Sequence, residues 1–273
     1  MAIICISREL AAGGGQTALE LAAANGYRII ERDEILAELE RHNITRETFS
    51  NYDEKKPGFR AALSENKDMY IHYLKQAIYS EAVHGDCIIV GRGAGAILRD
   101  IPGVIAVLIV APHEARIEYL QKTHSRDAKI CEQEIKQSDQ DRRGYHKYFF
   151  NVDWQDPLSY DLTINTGKMR IPDAVGLIEK LRHLKITPEK EAKGKAVLAN
   201  ILLQRLVSGE ILYARRSQIR NLVVDVSEGS VSLSGLAISH RAEANALEAV
   251  RAIPGVKSVS SDIVAVPPVP SFR

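Results

Sequence analysis

Four stretches of the chain are apolar runs: residues 2–6, 87–90 and 104–110 without interruption, and 162–164 with Thr163 between two aliphatics. A strand with one wet face alternates apolar and polar residues. A continuous run instead predicts a strand covered on both faces, as in a parallel sheet. Between these runs apolar residues recur at helical spacing, which predicts helices over 17–25, 33–41, 61–81, 112–122, 132–148 and 172–184. Pro112 and Pro172 suit a first helical turn, where a missing amide costs no hydrogen bond. Strands alternating with helices predict a doubly wound α/β domain with right-handed crossovers, whose ligands bind at the C-terminal ends of the strands.

The pattern changes near residue 185. Residues 185–195 mix charges with little to bury and read as a linker leading into a helix. Val197, Leu198, Ile201, Leu202 and Leu206 then keep helical spacing over 196–206. Residues 222–226 and 231–236 alternate as hairpin strands do, with Glu228-Gly229 as turn chemistry between them. A helix over 243–253 ends at Pro254-Gly255, and 256–264 alternates again. The order helix, strand, strand, helix, strand describes a compact α+β module of roughly 70 residues. The expected division is a first domain over 1–184, a linker over 185–195, a second domain over 196–266 and a disordered tail over 267–273. A linker this polar implies independent motion of the two domains.

At 273 residues the chain is long enough for one or two domains with full cores. A formal net charge of +1 excludes a global field that would draw it to nucleic acid or anionic membrane. No apolar run of membrane-spanning length is expected. Met1 leads straight into a strand-like run with no charged leader, so a signal peptide is not expected. Cys5, Cys87 and Cys131 are odd in number and far apart, which points to a reducing cytoplasm without disulfides or a zinc cluster. The eight histidines show no metal-ligand spacing, and no G-x-S-x-G elbow is present, so zinc and serine-nucleophile chemistry are disfavoured.

Three constellations carry candidate chemistry. The first follows the opening strand: Ser7-Arg8-Glu9-Leu10-Ala11-Ala12-Gly13-Gly14-Gly15-Gln16-Thr17. Strand, glycine loop and helix start make a phosphate cradle, because glycines admit the anion and the free amides and dipole of the helix favour it. Such a run is also a tight strand–helix turn. A standard P-loop, G-x-x-x-x-G-K-[ST], places Lys on the β/γ-phosphates and Ser/Thr on magnesium. Here Arg8 stands at the first Gly, Gly14 at the Lys and Gly15 at the Ser/Thr. The second is Gly91-Arg92-Gly93 with Gly95, after the strand 87–90. An arginine there is placed to fork onto phosphate oxygens, or is a surface residue of a turn. The third is the helix over 132–148, which carries Asp139, Asp141, Arg142, Arg143, His146 and Lys147. Asp139 and Arg142 are spaced to pair, although a charge-rich helix is also what a solvated face looks like. Tyr148-Phe149-Phe150 and Trp154 anchor a lid or belong to the core.

Taken together these motifs resemble the cytidylate-kinase-like family, a branch of the P-loop nucleoside monophosphate kinases. The resemblance is carried over 1–182 by Ile4-Cys-Ile-Ser-Arg-Glu9 with Gly13-Gly14, Ile88-Ile-Val-Gly-Arg-Gly-Ala94 with Ile97-Leu98-Arg99, and Ala111-Pro112 with Arg116-Ile117. Ile135, Asp139, Arg142 and Tyr145, then Trp154 and Tyr160-Asp-Leu-Thr-Ile-Asn-Thr166, continue it. Residues 196–266 resemble a BON domain through 224–235 and Ile253-Pro-Gly-Val-Lys-Ser-Val259. The implied fold is a P-loop NMP-kinase-like parallel sheet flanked by helices, followed by a small α+β (αββαβ) module.

The resemblance implies ATP, with Mg2+, bound on Gly13, Gly14, Gly15, Gln16 and Thr17. It implies a helical insert within 33–81 closing over the acceptor, and a lid around 139–143. Arg92, with Gly91 and Gly93, would hold the phosphate of a nucleoside monophosphate or similar small acceptor. Arg142 would reach the transition-state charge, with Asp139 beside it. Arg8 would replace the charge of the missing lysine, and Gln16 or Thr17 would offer magnesium an oxygen. Authentic cytidylate kinases also carry an Asp where this chain has Val90, and the branch's G-S-G-G has become Ala11-Ala12-Gly13-Gly14. The leading expectation is a cytoplasmic ATP-dependent phosphotransferase tuned or placed by the BON-like module. That module would take a small ligand or lipid, or serve as a homo-oligomerisation unit. The alternative expectation is a catalytically silent nucleotide sensor. A membrane-peripheral scaffold finds no support in charge or in an amphipathic basic face.

Overall fold

The computed structural model describes residues 2–52, 54, 66–215 and 217–266. The chain opens with β1 (Ile3–Arg8), turns through the glycine loop into α1 (Gly14–Asn25), and continues into β2 (Arg28–Ile30), α2 (Arg32–Glu40) and α3 (Arg46–Tyr52). Then come α4 (Asn66–Ala82), β3 (Cys87–Val90), the single turn α5 (Ala94–Ile97), β4 (Val104–Val110) and α6 (His113–His124). The long helix α7 (Ala128–Phe150), β5 (Leu162–Asn165) and α8 (Ile171–Lys185) complete the first part. The five strands form one parallel sheet in the order β2-β3-β1-β4-β5. β1 lies at its centre, and Ile3, Ile4, Cys5 and Ile6 are buried on both faces, which is why that run is uninterrupted.

One face of the sheet is covered by α1 and α8. Ile4, Ile6, Ile88, Val107 and Ile109 share a core with Ala18, Leu21, Ala174 and Ile178. Each fully buried aliphatic side chain there is worth about 1.5–3 kcal/mol. β2 is absent from the expectations above. It is a three-residue edge strand with Arg28 exposed, too short to show a pattern. α7 begins one turn before its expected start, because the Asp127 carboxylate accepts from the Lys129 amide at 2.8 Å and caps the helix there. The expected helix 61–81 is α4 from residue 66 onward, and residues 61–65 lie outside the described residues.

The chain divides into two compact units, Met1–Lys195 and Ala196–Arg273. The second holds most of α9 (Pro188–Gly209), a π-helical turn (Glu210–Ala214), β6 (Ile219–Ser227), β7 (Ser230–Ala237), α10 (His240–Arg251) and β8 (Ser258–Ala265). β6 and β7 are antiparallel, and β8 returns through α10 to lie parallel to β7, giving the αββαβ order. Ser227 pairs with Ser230, so the hairpin turn is Glu228-Gly229 alone, both at positive φ (51° and 90°) as the strand twist demands of a two-residue loop. Leu203, Val207, Ile211, Val224, Leu233, Val250 and Ile263 form the core.

Two expectations are refined here. Within the expected linker 185–195, residues 188–195 form the opening turns of α9, because Glu189, Lys190, Glu191 and Lys193 suit a solvated helix as well as a loop. Pro188–Ala214 is also long and apolar enough, by length and composition, to cross a membrane. Leu203, Val207 and Ile211 of that stretch sit in the second core, where an apolar helix face is required. The expected tail 267–273 lies outside the described residues.

Candidate functional site

The site begins where β1 ends. After Arg8 the chain turns through Ala11 (φ 63°) and Gly13 (φ 77°) into α1. The first i to i−4 bond of that helix runs from the Thr17 amide to the Gly13 carbonyl at 2.9 Å, so the amides of Gly14, Gly15 and Gln16 precede any intrahelical acceptor. They combine with the helix dipole to favour an anion. Thr166, at the end of β5, donates to the Ala12 carbonyl at 2.7 Å and pins the loop. The Arg8 side chain arches over the loop. The space a Cβ on Gly14 would need is filled by Arg8, whose Cγ lies 2.8 Å from that point. A side chain at the position that holds lysine in a standard P-loop would strike the Arg8 stem.

The two side chains expected to offer magnesium an oxygen are placed differently. Thr17 is fully buried and its hydroxyl donates to the Gly13 carbonyl at 3.0 Å, so it packs the helix start and presents no oxygen for magnesium. Gln16 is exposed and donates along the helix to Glu20 at 2.9 Å.

The Arg8 guanidinium reaches Glu54. Nη1 donates to Oε1 at 3.0 Å and to Oε2 at 3.3 Å. The Arg92 amide donates to the same Oε1 at 2.9 Å, and Arg142 Nε lies 3.4 Å from Oε2. Arg92 follows β3 in a left-handed conformation (φ 55°), as does Glu54 (φ 46°). Non-glycine residues held there cost about 1–3 kcal/mol each and gather where function requires the geometry. Gly91 admits this convergence, since a Cβ on it would overlap both Glu54 Oε1 and Arg8 Nη1. Gly93 gives way in the same manner to Phe150 at the end of α7. The close approach expected at these glycines is thus made by the protein's own side chains. The Arg92 guanidinium sits 5.6 Å over the Phe49 ring, within cation–π range.

Asp139 does not pair with Arg142. Both its oxygens are taken by Arg116 on α6, at 2.8 and 3.0 Å, in a forked bond. Arg116 is 3% exposed, donates through Nε to the Leu10 carbonyl at 2.7 Å, and lies 3.4 Å from Glu9. Glu9 in turn accepts from the Ala111 amide and from Gln155. This network ties the glycine loop, β4, α6 and α7 together beneath the site. Arg142 bonds instead to Ser138 and turns toward Glu54.

The electrostatics follow from these pairings. Arg116 is answered by Asp139 and Glu9, whereas the Glu54 carboxylate is shared by the Arg8 side chain, the Arg142 side chain and the Arg92 backbone amide. Burial alone would raise the Glu54 carboxyl, but Arg8, Arg142 and the Arg92 amide bring it down to about 2. Arg92 is pushed down to about 10, first by burial and then by Arg8, Arg32 and Arg142, with Tyr145 opposing. Burial lowers Arg142 as well, against the pull of Glu54. A cleft of about 500 Å³ opens here, lined by Leu10, Glu54, Arg92, Gln137, Asp141 and Arg142 among others.

The free amides at the start of α1, with the Arg8 side chain against them, fit the phosphates of ATP. They do not fit the P-loop manner of holding magnesium, since the Thr17 oxygen is sealed. Among the described residues no three His, Cys, Asp or Glu side chains gather to hold a metal. Magnesium would come chelated by the nucleotide.

The structure brings together Arg8, Gly14, Gly91, Arg92 and Arg142. Three residues without an assigned role join them: Glu54, Arg116 and Glu9. Nothing in the charged stretch around Glu54 signals it. Glu9 and Arg116 stand in motif positions, and their neutral-charge alternatives would leave a buried partner unanswered.

Residues 3–168 match the model of the cytidylate kinase-like family, and residues 202–267 match the BON domain. No curated protein matches the chain. Among solved structures it is similar to an uncharacterized protein from Eubacterium ventriosum, with 22% identity and a TM-score of 0.53 over 67% of this chain and 99% of that one. It is also similar to a shikimate kinase from Bacteroides thetaiotaomicron (12% identity, TM-score 0.41, 67% and 98% covered). A third is a sugar kinase from Janibacter sp. (15% identity, TM-score 0.40, 70% and 98% covered).

Proposed function

The chain belongs to the cytidylate kinase-like family, and on that premise we propose that it transfers the γ-phosphoryl of ATP to a nucleoside monophosphate or similar small phosphate acceptor. The observation that carries this reading is the convergence of Arg8, the Arg92 amide and Arg142 on one anion position at the C-terminal ends of β1 and β3, with the Arg8 stem lying against the start of α1. Phosphoryl transfer asks little covalent chemistry of a protein; positioning and neutralisation of charge do most of it. Arg8 and the amides of Gly13, Gly14, Gly15 and Gln16 hold the donor phosphates. Arg92, between Gly91 and Gly93 in the loop after β3, holds the acceptor phosphate. Arg142 stabilises the charge on the transferring group from α7, and Asp139 acts as a positioning residue by fixing Arg116 under the loop. ATP brings Mg2+, which neutralises the phosphates when bound. The setting is cytoplasmic, in keeping with three buried free thiols. The BON domain tunes or places this activity through a small ligand, a lipid surface or self-association.

A second reading, a nucleotide sensor without turnover, is favoured by Glu54 on the arginines and by the sealed Thr17 oxygen. Transfer from ATP-magnesium to a panel of NMPs and dNMPs, with Arg142→Ala as control, separates the two. Transfer that collapses in the control supports the kinase and names the acceptor. Binding without transfer supports the sensor. Arg8→Ala weakens ATP binding sharply on either reading, and unchanged affinity would remove Arg8 from the site.

A further inference from the structure

Glu54 receives what a phosphoryl group would receive. One of its oxygens accepts from a backbone amide and a guanidinium, and the other faces two guanidiniums. The donors come from three separate elements, the end of β1, the loop after β3 and the middle of α7, and Gly91 lacks the Cβ that would block them. The side chain is 13% exposed, so the carboxylate is within the protein rather than resting on it. A second anion cannot use these donors while the first does. Arg8 Nη1 already serves both oxygens, and another negative group beside Glu54 would be repelled in a poorly solvated place.

We propose that Glu54 is a built-in competitor for the phosphate site: its carboxylate fills the seat made by Arg8, Arg142 and the Arg92 amide, and a phosphoryl group enters only by displacing it. This rests on the reading that those arginines bind phosphate. The device sets the resting state of the site to closed without any second molecule. It makes affinity depend on how well a ligand's dianionic phosphoryl outbids a monoanionic carboxylate for the same donors. Ligands with a single weak negative charge are thereby refused.

The test is calorimetric titration of the full chain with inorganic phosphate, ATP and CMP, each against the parent, Glu54→Gln and Glu54→Asp. Glutamine keeps the shape and removes the charge. Aspartate keeps the charge and is one methylene too short to reach all three donors. If the seat is filled in nine molecules of ten, emptying it tightens phosphate binding about tenfold. The expected result is that gain in Glu54→Gln, with a smaller gain in Glu54→Asp. A gain confined to ATP assigns the seat to the donor phosphates, and one confined to CMP assigns it to the acceptor; either supports the proposal. Should one variant not fold, the other still decides. Phosphate binding no tighter in the folded variants, alongside a parent that transfers phosphate, overturns the competitor and leaves the kinase reading intact. No binding of any probe by parent or variants removes the phosphate site, and the competitor with it.

Discussion

Gly14 and Gly15 are adjacent, share the first turn of α1, and should respond to alanine in opposite directions. A Cβ on Gly14 would overlap Arg8 Cβ and lie 2.8 Å from Arg8 Cγ, whereas a Cβ on Gly15 meets nothing within 4 Å. Arg8 Cβ cannot swing aside, because Arg8 is the last residue of the central strand and pairs with Ile109 of β4. The start of α1 must move instead. Overpacking of this kind costs about 1–3 kcal/mol, against which alanine in a helix returns about 0.5–1 kcal/mol. Gly14→Ala should therefore lose about 1–2 kcal/mol, and Gly15→Ala should be neutral or gain up to about 1 kcal/mol. Urea unfolding followed by fluorescence isolates the relevant unit, since Trp154 is the chain's one tryptophan and lies buried in the first unit. In an Arg8→Gly background the Gly14→Ala penalty should shrink, because the atoms it strikes are gone. A Gly14→Ala midpoint at or above that of Gly15→Ala would refute the account of Arg8 crossing the loop.

His146 and Asp139 provide two further predictions. The His146 ring is 7% exposed among Tyr145, Phe150 and Trp154, and burial, with Arg142 and Arg8 adding to it against Glu54, pushes its pKa down from 6.5 to about 4. The unfolded chain binds that proton more readily, so stability is full above pH 6.5 and falls as pH drops toward 4, by about 3 kcal/mol. His146→Phe should flatten the difference between urea midpoints at pH 7 and pH 4.5; an unchanged slope removes His146 as its source. Asp139→Asn deprives the buried Arg116 of its charged fork, and with Glu9 still 3.4 Å away the loss should be about 2–3 kcal/mol, toward the lower end for a broken buried pair. The same urea assay measures it, and a loss below about 0.5 kcal/mol would class the pair with exposed ones.

Much of the frame was legible because each strand run is long enough to need two covers. The runs at 87–90 and 104–110 coincide with β3 and β4, and helical spacing found α6, α7 and α8 to within a turn or so at each end. β2 escaped because three residues at a sheet edge carry no period, and residues 188–195 because mixed charge suits a solvated helix as well as a loop. In the candidate site, glycines beside strand ends are where side chains of Arg8, Glu54 and Phe150 approach the backbone. Partners did not show. Local spacing suggests Asp139 with Arg142, yet the residue that holds Asp139 comes from a different helix, 23 positions earlier. Glu54 has no local signature at all; its role exists only once the ends of β1 and β3 and the middle of α7 are side by side.

The central place of β1 bears on how the protein is made. Its hydrogen-bonding neighbours are β3 and β4, and β2 has β3 as its neighbour, so no pair of strands in this sheet can close before Cys87–Val90 has left the ribosome. At about 5–20 residues per second, Ile3, Ile4 and Ile6 wait roughly 4–17 s without their partners, an interval in which a chaperone or a neighbouring nascent chain can reach them. The β6–β7 hairpin closes across two residues and has no such wait. Synonymous changes that slow translation between codons 9 and 86 should therefore lower the soluble yield of the first unit, while the same slowing downstream of codon 219 should matter little.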